Sequence, residues 1–300
     1  MRKFLLLLVF LLPLAIYLPT LGDFAAPYQM TDSDMIGSHY PNAVFLRQSL
    51  AQWGQIPLWS NTILGGYPFA ANPLSGLGYP PGWLMVVLDL PLAFNLTILL
   101  HLLLAGLGMY CFLRAEGFDQ LPAILGGLVF ELLPKLAGHY AGGHVTLLYA
   151  LCWAPWLLWA EKMRQSRGRQ VAPALVFALA LLASIPGAAY GGLLWAFYSL
   201  HLAWPRLTNS WKALLRWGAG FAGQVGLAAL LAAPFLLLFF EFASLSNRGL
   251  ITSADTLLFS LPTLQLFGLF IPNFGAFPEW VIYPGAFAFI VLVCCLFLPA

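Results

Sequence analysis

Asp32 and Asp34 stand one residue apart near the start of a long segment, residues 23–82, rich in amides, aromatic rings, proline and glycine. One carboxylate can take a proton from a hydroxyl as a general base, and two closely placed carboxylates can hold a divalent cation such as Mg²⁺ or Mn²⁺. Two solvated loop acids would show the same spacing, so the surroundings decide the weight. His39 and Tyr40 follow within a helical turn or two, and Trp53, Trp59, Tyr67, Phe69, Tyr79 and Trp83 supply aromatic faces. Rings of this kind also form membrane-interface belts. Asn61 and Asn72 carry amides able to read sugar hydroxyls, although asparagine serves turns equally well. Gly65-Gly66 and Gly76-x-Gly78 permit positive φ, while Pro68, Pro73, Pro80 and Pro81 stiffen the path, which predicts a folded loop.

Two further segments carry polar groups. Lys135, His139 and Gly142-Gly143-His144 mark one short turn; Glu241, Ser244, Ser246, Asn247 and Arg248 mark another. Arginine can grip a phosphate through its planar fork and lysine adds a point charge. Phospholipid head-group anchoring is the plainer role for Lys135 and Arg248. Glu131 stands alone, an acid inside an apolar run, and intramembrane acids are expensive unless paired or functional.

The elements that position these groups follow from composition. The chain is 61% hydrophobic with 8% charged residues, far from a soluble domain. Its apolar runs lack the dyad alternation of barrel strands, so they predict an all-α polytopic transmembrane bundle. Eight spans are expected near 4–21, 91–113, 121–137, 145–160, 171–186, 189–204, 214–240 and 284–299, with short interfacial pieces at 82–89 and 257–272. With the N-terminus inside, Arg2, Lys3, Arg114, Lys162, Arg164, Arg167, Arg169, Arg206, Lys212 and Arg216 are cytoplasmic. Only Arg47, Lys135 and Arg248 are then outside, so the Lys/Arg bias fixes the orientation. The acids Asp23, Asp32, Asp34, Asp89, Glu241, Asp255 and Glu279 would all face outward, and residues 23–82 become the first extracytoplasmic loop. Arg2-Lys3 with the following apolar run reads as an uncleaved signal anchor.

Other classes lose support. Cys111, Cys152, Cys294 and Cys295 lie in apolar spans and imply no disulfide framework. No Cys/His metal spacing, Walker-type loop or G-x-S-x-G elbow is present, and no internal repeat of the transporter kind is evident. Nucleic acid is not an expected partner; membrane lipids are. The sequence ends inside an apolar run at Phe297-Leu298-Pro299-Ala300, so residues 1–300 read as one transmembrane domain forming the N-terminal part of a longer protein.

The order Asp34…Tyr40-Pro41, Pro57-Leu58-Trp59-Ser60, Gly65-Gly66-x-Pro68-Phe69, Ala71-Asn72-Pro73 and Tyr79-Pro80-Pro81 resembles the first outer loop of bacterial YfhO-like membrane proteins. Gly143-His144 leading into Trp153-Ala154-Pro155-Trp156, Pro234…Glu241…Ser246-Asn247-Arg248 and Pro272-Asn273-Phe274-Gly275 extend the resemblance over roughly residues 20–290. Residues 184–190 depart from it, lacking a glutamine expected there. The resemblance implies a GT-C-like fold in the cytoplasmic (inner) membrane. It also implies transfer of a sugar from a polyprenyl-phosphate-linked donor to an extracytoplasmic glycan, lipid or cell-wall acceptor. By position Asp34 would be the catalytic base, with Asp32 beside it. Arg248, Lys135, His144 and His139 would hold the donor's lipid phosphate, and Glu241, Trp59, Tyr67, Asn72 and Tyr40 would orient sugars. A lipid or glycan flippase and a non-enzymatic envelope-assembly protein are the competing expectations.

Overall fold

The computed structural model describes residues 33–247, apart from 64, 168–169 and 208–209, together with Leu11, Ala15 and most positions from 252 to 290. Apart from those few positions, the expected spans at 4–21 and 284–299 lie outside the described residues, as do Asp32 and Arg248.

The described residues are helical, with no strand and a single isolated antiparallel bridge between Ser60 and Tyr67. In chain order the helices are α1 (Tyr40–Trp53), α2 (Leu90–Ala115), α3 (Gln120–Glu131), α4 (Pro134–Ala141), α5 (Val145–Cys152), α6 (Ala154–Arg167), α7 (Ala172–Ala183), α8 (Ile185–Leu207), α9 (Trp211–Leu231) and α10 (Ala233–Ser244). Among the described residues, three stretches are long and apolar enough to cross a membrane: α2, the α3–α4 stretch Gln120–Ala141, and α9. At 1.5 Å per residue the 21-residue α9 is about 31 Å long, the thickness of a hydrocarbon core.

Several apolar runs that read as single spans are divided, and proline sits just after each division. The 121–137 run breaks at Leu132 and Leu133 before Pro134; 145–160 breaks at Trp153 before Pro155. The 171–186 run breaks at Ser184 before Pro186, and 214–240 breaks at Ala232 before Pro234. Proline has no N–H to donate to the preceding turn and its ring clashes with the carbonyl four residues back, so a helix cannot run through it unbroken, yet it is well suited to a first helical turn. Apolarity alone therefore could not register these breaks. The 82–89 piece is a single helical turn, Leu84–Val87, after a 3₁₀ turn, and Thr263–Leu269 is also 3₁₀.

The first loop is welded to the helices. Met35, Leu46, Phe69 and Tyr79 are buried in one core with Ile98, Leu148, Cys152 and Ala183. Polar ties reinforce it: Arg47 Nη1 donates to the Leu88 carbonyl at 2.9 Å, and Asn42 Nδ2 donates to the Leu74 carbonyl at 3.1 Å. Deeper in, Trp153 Nε1 donates to the Tyr79 hydroxyl at 2.8 Å, the Tyr79 hydroxyl donates to His101 Nε2, and His101 Nδ1 donates to the Thr97 carbonyl at 2.6 Å. Every polar atom in that buried chain has a partner, which is what a low-dielectric interior requires. A second core, centred on Trp195 with Phe177, Leu157 and Ala228, joins α6, α7, α8 and α9.

Candidate functional site

Ser33 organises the entry to the site. Its hydroxyl accepts the Met35 N–H at 3.2 Å, and its carbonyl accepts the N–H groups of Ile36 and Gly37 at 3.0 and 2.9 Å. The chain then makes a π-helical turn, Met35–His39, before α1 begins with Pro41 in its first turn. Met35 and His39 are buried, while the Asp34 side chain stays half-exposed.

The opposite wall is the α4–α5 connection. Gly143 has φ +75°, and a Cβ there would lie 2.3 Å from Ser33 Oγ and 2.7 Å from the Met35 nitrogen. Only glycine lets this turn and the 33–35 segment approach so closely. The following residue, His144, donates its backbone N–H to the His139 carbonyl at 2.9 Å. Its ring Nε2 lies 3.7 Å from Asp34 Oδ2 and 3.5 Å from Glu279 Oε1, ion-pair rather than close hydrogen-bond separations. Its Nδ1 is 3.4 Å from Nδ1 of the buried His139. Glu279 comes from a 3₁₀ turn, Pro278–Trp280, packed on α4, where Lys135 Nζ donates to the Glu279 carbonyl.

One imidazole thus faces two half-exposed carboxylates, with an ammonium close by. Such a group can take a proton from a hydroxyl at Asp34 and present positive charge beside it. Asp34, Glu279 and His144 are not a three-ligand metal set, and no such set occurs among the described residues.

Because Gly143 sets the Asp34–His144 approach, Gly143→Ala should separate the two. It forces a left-handed backbone onto alanine, costing about 1–2 kcal/mol. Misplacing reacting groups by 1 Å costs about 10²-fold in rate, so a loss on the order of 10-fold or more is expected. Turnover measured alongside the unfolding temperature checks this: an unchanged rate would show that the close approach is not needed.

His39, close enough to feel the Asp34 charge, has its pKa lowered from the ordinary 6.5 to about 4. Burial is the main cause; the Asp34 charge and a hydrogen bond with the Leu74 backbone oppose it, and His144 adds to the lowering. Between those two values an unfolded chain binds a proton that the folded chain refuses. The stability His39 contributes is therefore complete above pH 6.5 and lost as pH falls toward 4. The slope can reach about 1.4 kcal/mol per pH unit. His39→Gln should flatten the decline of unfolding temperature between neutral pH and pH 4.5, and an unaltered decline would remove His39 as its source.

The structure brings together Asp34, His144, His139 and Lys135 from the sequence-derived set and adds Glu279. The other described members of that set are placed elsewhere or are already engaged. The Tyr67 hydroxyl donates to Asn42 Oδ1 at 2.8 Å, and Asn72 Oδ1 accepts the Leu74 N–H at 2.9 Å, a turn role. Tyr40 opens α1 and packs on the first core; Trp59 lies on an exposed turn with its ring over Gly66; Glu241 is exposed near the end of α10. Asn72 does line a cleft of about 400 Å³ with Thr146, Ser184, Phe242, Ser246 and Asn247.

Sequence reasoning noted Glu279 only as one outward acid, since nothing local pairs a 3₁₀ turn with a histidine so distant in sequence. The Tyr79–His101–Trp153 chain was likewise missed, His101 being a lone histidine in an apolar run. Comparison of the chain with protein-family models, curated proteins and solved structures finds no match in any of the three.

Proposed function

We propose that the chain is an integral membrane glycosyltransferase of the GT-C kind. It moves a sugar from a polyprenyl-phosphate-linked donor to an extracytoplasmic glycan, lipid or cell-wall acceptor. The observation that carries this reading is the meeting of Asp34, His144 and Glu279 beside a folded loop packed into one core with a membrane-length helix. Asp34 takes the acceptor's hydroxyl proton as that oxygen bonds to the sugar's anomeric carbon. The bond from that carbon to the phosphate oxygen breaks, and the phosphate leaves with the electron pair. His144, Lys135 and Arg248 supply positive charge where the leaving group's charge develops, the term that usually contributes most to such catalysis.

The direct test is sugar incorporation in membranes with and without the full-length protein, using labelled polyprenyl-phosphate-linked sugars. Transfer that depends on the protein supports the reading, and equal transfer in both membranes contradicts it. Orientation is tested separately. A reporter inserted between Arg167 and Arg169 should be cytoplasmic, and one at the loop residue Asn61 should be outside. The reverse pattern would put the carboxylates on the wrong face for this donor.

One observation favours a second reading, a lipid or glycan flippase. Glu131 is buried within the Gln120–Ala141 stretch, and neither carboxylate oxygen has a hydrogen-bond partner among the described residues. If that acid serves translocation, Glu131→Gln abolishes lipid translocation while Asp34→Asn leaves it intact; the transferase reading expects sugar transfer to survive Glu131→Gln.

A further inference from the structure

We infer that the tip of the first loop, residues 53–63, is a membrane-docking surface that inserts into the outer leaflet at the level of the lipid head groups. The inference rests on the membrane placement proposed above but not on glycosyl transfer.

Trp53, Ile56, Leu58, Trp59 and Ile63 are between 48% and 71% exposed, although they occupy one short stretch of a well-anchored loop. Their presentation is built in. α1 ends at Gly54, whose left-handed conformation (φ +63°) turns the chain, its N–H donating to the Leu50 carbonyl at 3.1 Å. The Ser60–Tyr67 bridge, with reciprocal N–H to carbonyl bonds of 2.9 and 2.8 Å, closes the far side. The Trp59 ring rests over Gly66, where a Cβ would come within 2.4 Å of its Nε1. A framework this defined holds apolar side chains outward, and such a patch on a soluble surface signals a binding face.

Charge identifies the occupant. Between Arg47 and Asp89 no residue is charged, so the tip offers nothing to complement a charged protein partner. An interface tolerates tryptophan and aliphatic side chains and disfavours buried charge, which is this composition. Position agrees with it. Leu58 lines one recess with Leu231 and Leu238, and Leu231 is the last residue of the membrane-length α9. Leu231 and Leu238 are themselves exposed, so the tip continues the apolar surface at the end of that helix.

Nitroxide labels on Leu58→Cys and Ile63→Cys test this, in full-length protein with its native cysteines replaced by alanine and reconstituted in phospholipid nanodiscs. A label on Leu107→Cys, an exposed position within α2, is the membrane control. Collisions with oxygen should exceed those with a water-soluble nickel chelate at 58 and 63, as at 107, with a shallower depth at the tip. Ile56→Cys replaces either tip variant should it not fold. Nickel-dominated collisions at the tip with an oxygen-dominated Leu107 control would overturn the docking surface alone. Tip labels shielded from both reagents would mean a protein covers it, which also overturns the inference. Nickel access at position 107 would remove the membrane placement itself.

Discussion

Asp34→Asn should yield a folded, membrane-inserted protein whose sugar transfer has fallen by about 10²–10⁴-fold, the usual contribution of a general base. The amide keeps the carboxylate's shape but cannot accept the proton. Little packing is lost, because Asp34 is half-exposed and its described contact is the 3.7 Å approach of His144. Ser33 and Met35 hold the backbone there through bonds that do not involve the carboxylate. Asp32→Asn should cost less if Asp32 only orients Asp34, and as much if the two act as one site. Glu279→Gln should fall between, since Glu279 reaches the reaction through His144. Rates in the full-length protein, with expression and unfolding temperature measured in parallel, separate a chemical loss from a folding loss.

Glu161→Ala should be the most destabilising single substitution of a charged residue, by about 3–5 kcal/mol, the cost of removing one partner from a buried ionic cluster. Glu161 is fully buried between α6 and α8. Its Oε1 accepts from Arg164 Nη2 at 2.6 Å, Gln165 Nε2 at 2.8 Å and Ser199 Oγ at 3.0 Å. Its Oε2 accepts from Arg164 Nε and Trp195 Nε1, both at 3.0 Å. Trp217 Nε1 extends the cluster by donating to Ser199 Oγ at 3.0 Å, so α9 is tied in as well. Alanine would leave the fully buried Trp195 N–H and a largely buried guanidinium without their acceptor. Arg164 keeps some exposure and can recover water, which favours the lower end of the range. Glu161→Gln should lie in between, because one of its two positions then presents N–H groups to other donors. Thermal unfolding in detergent, with Asp34-dependent transfer as a check on the native state, measures both. A shift no larger than that of a surface substitution would mean the cluster adds nothing net.

The helical class and the apolar segments were legible because hydrophobic runs report burial directly, whether in protein or lipid. Where the helices break was less legible, since Pro134, Pro155, Pro186 and Pro234 act through the backbone of the residues before them rather than through polarity. Gly143 was visible as a flexible residue but not as a contact, because its partner, Ser33, is distant in the chain. Asp34 and His144 stood out as polar groups at turns between apolar runs, but their 3.7 Å approach depends on tertiary packing that no local pattern records. Glu279 did not stand out, because its role depends on tertiary placement of a 3₁₀ turn. Tyr67 and Asn72 illustrate the opposite error. Their side chains suit sugar recognition, yet the loop that displays them also uses them, one as a tie to Asn42 and the other as a turn former. Glu161 was hidden among neighbouring basic residues that were read only as a topology signal.

The most direct measurement is sugar transfer by purified full-length protein in liposomes supplied with labelled polyprenyl-phosphate-linked sugars and an envelope extract as acceptor. Native protein should release free polyprenyl phosphate and incorporate label together, and Asp34→Asn protein of equal unfolding temperature should do neither. Transfer at the native rate by that variant, or none by native protein under conditions where it stays folded, would contradict a transferase site built on Asp34 and His144.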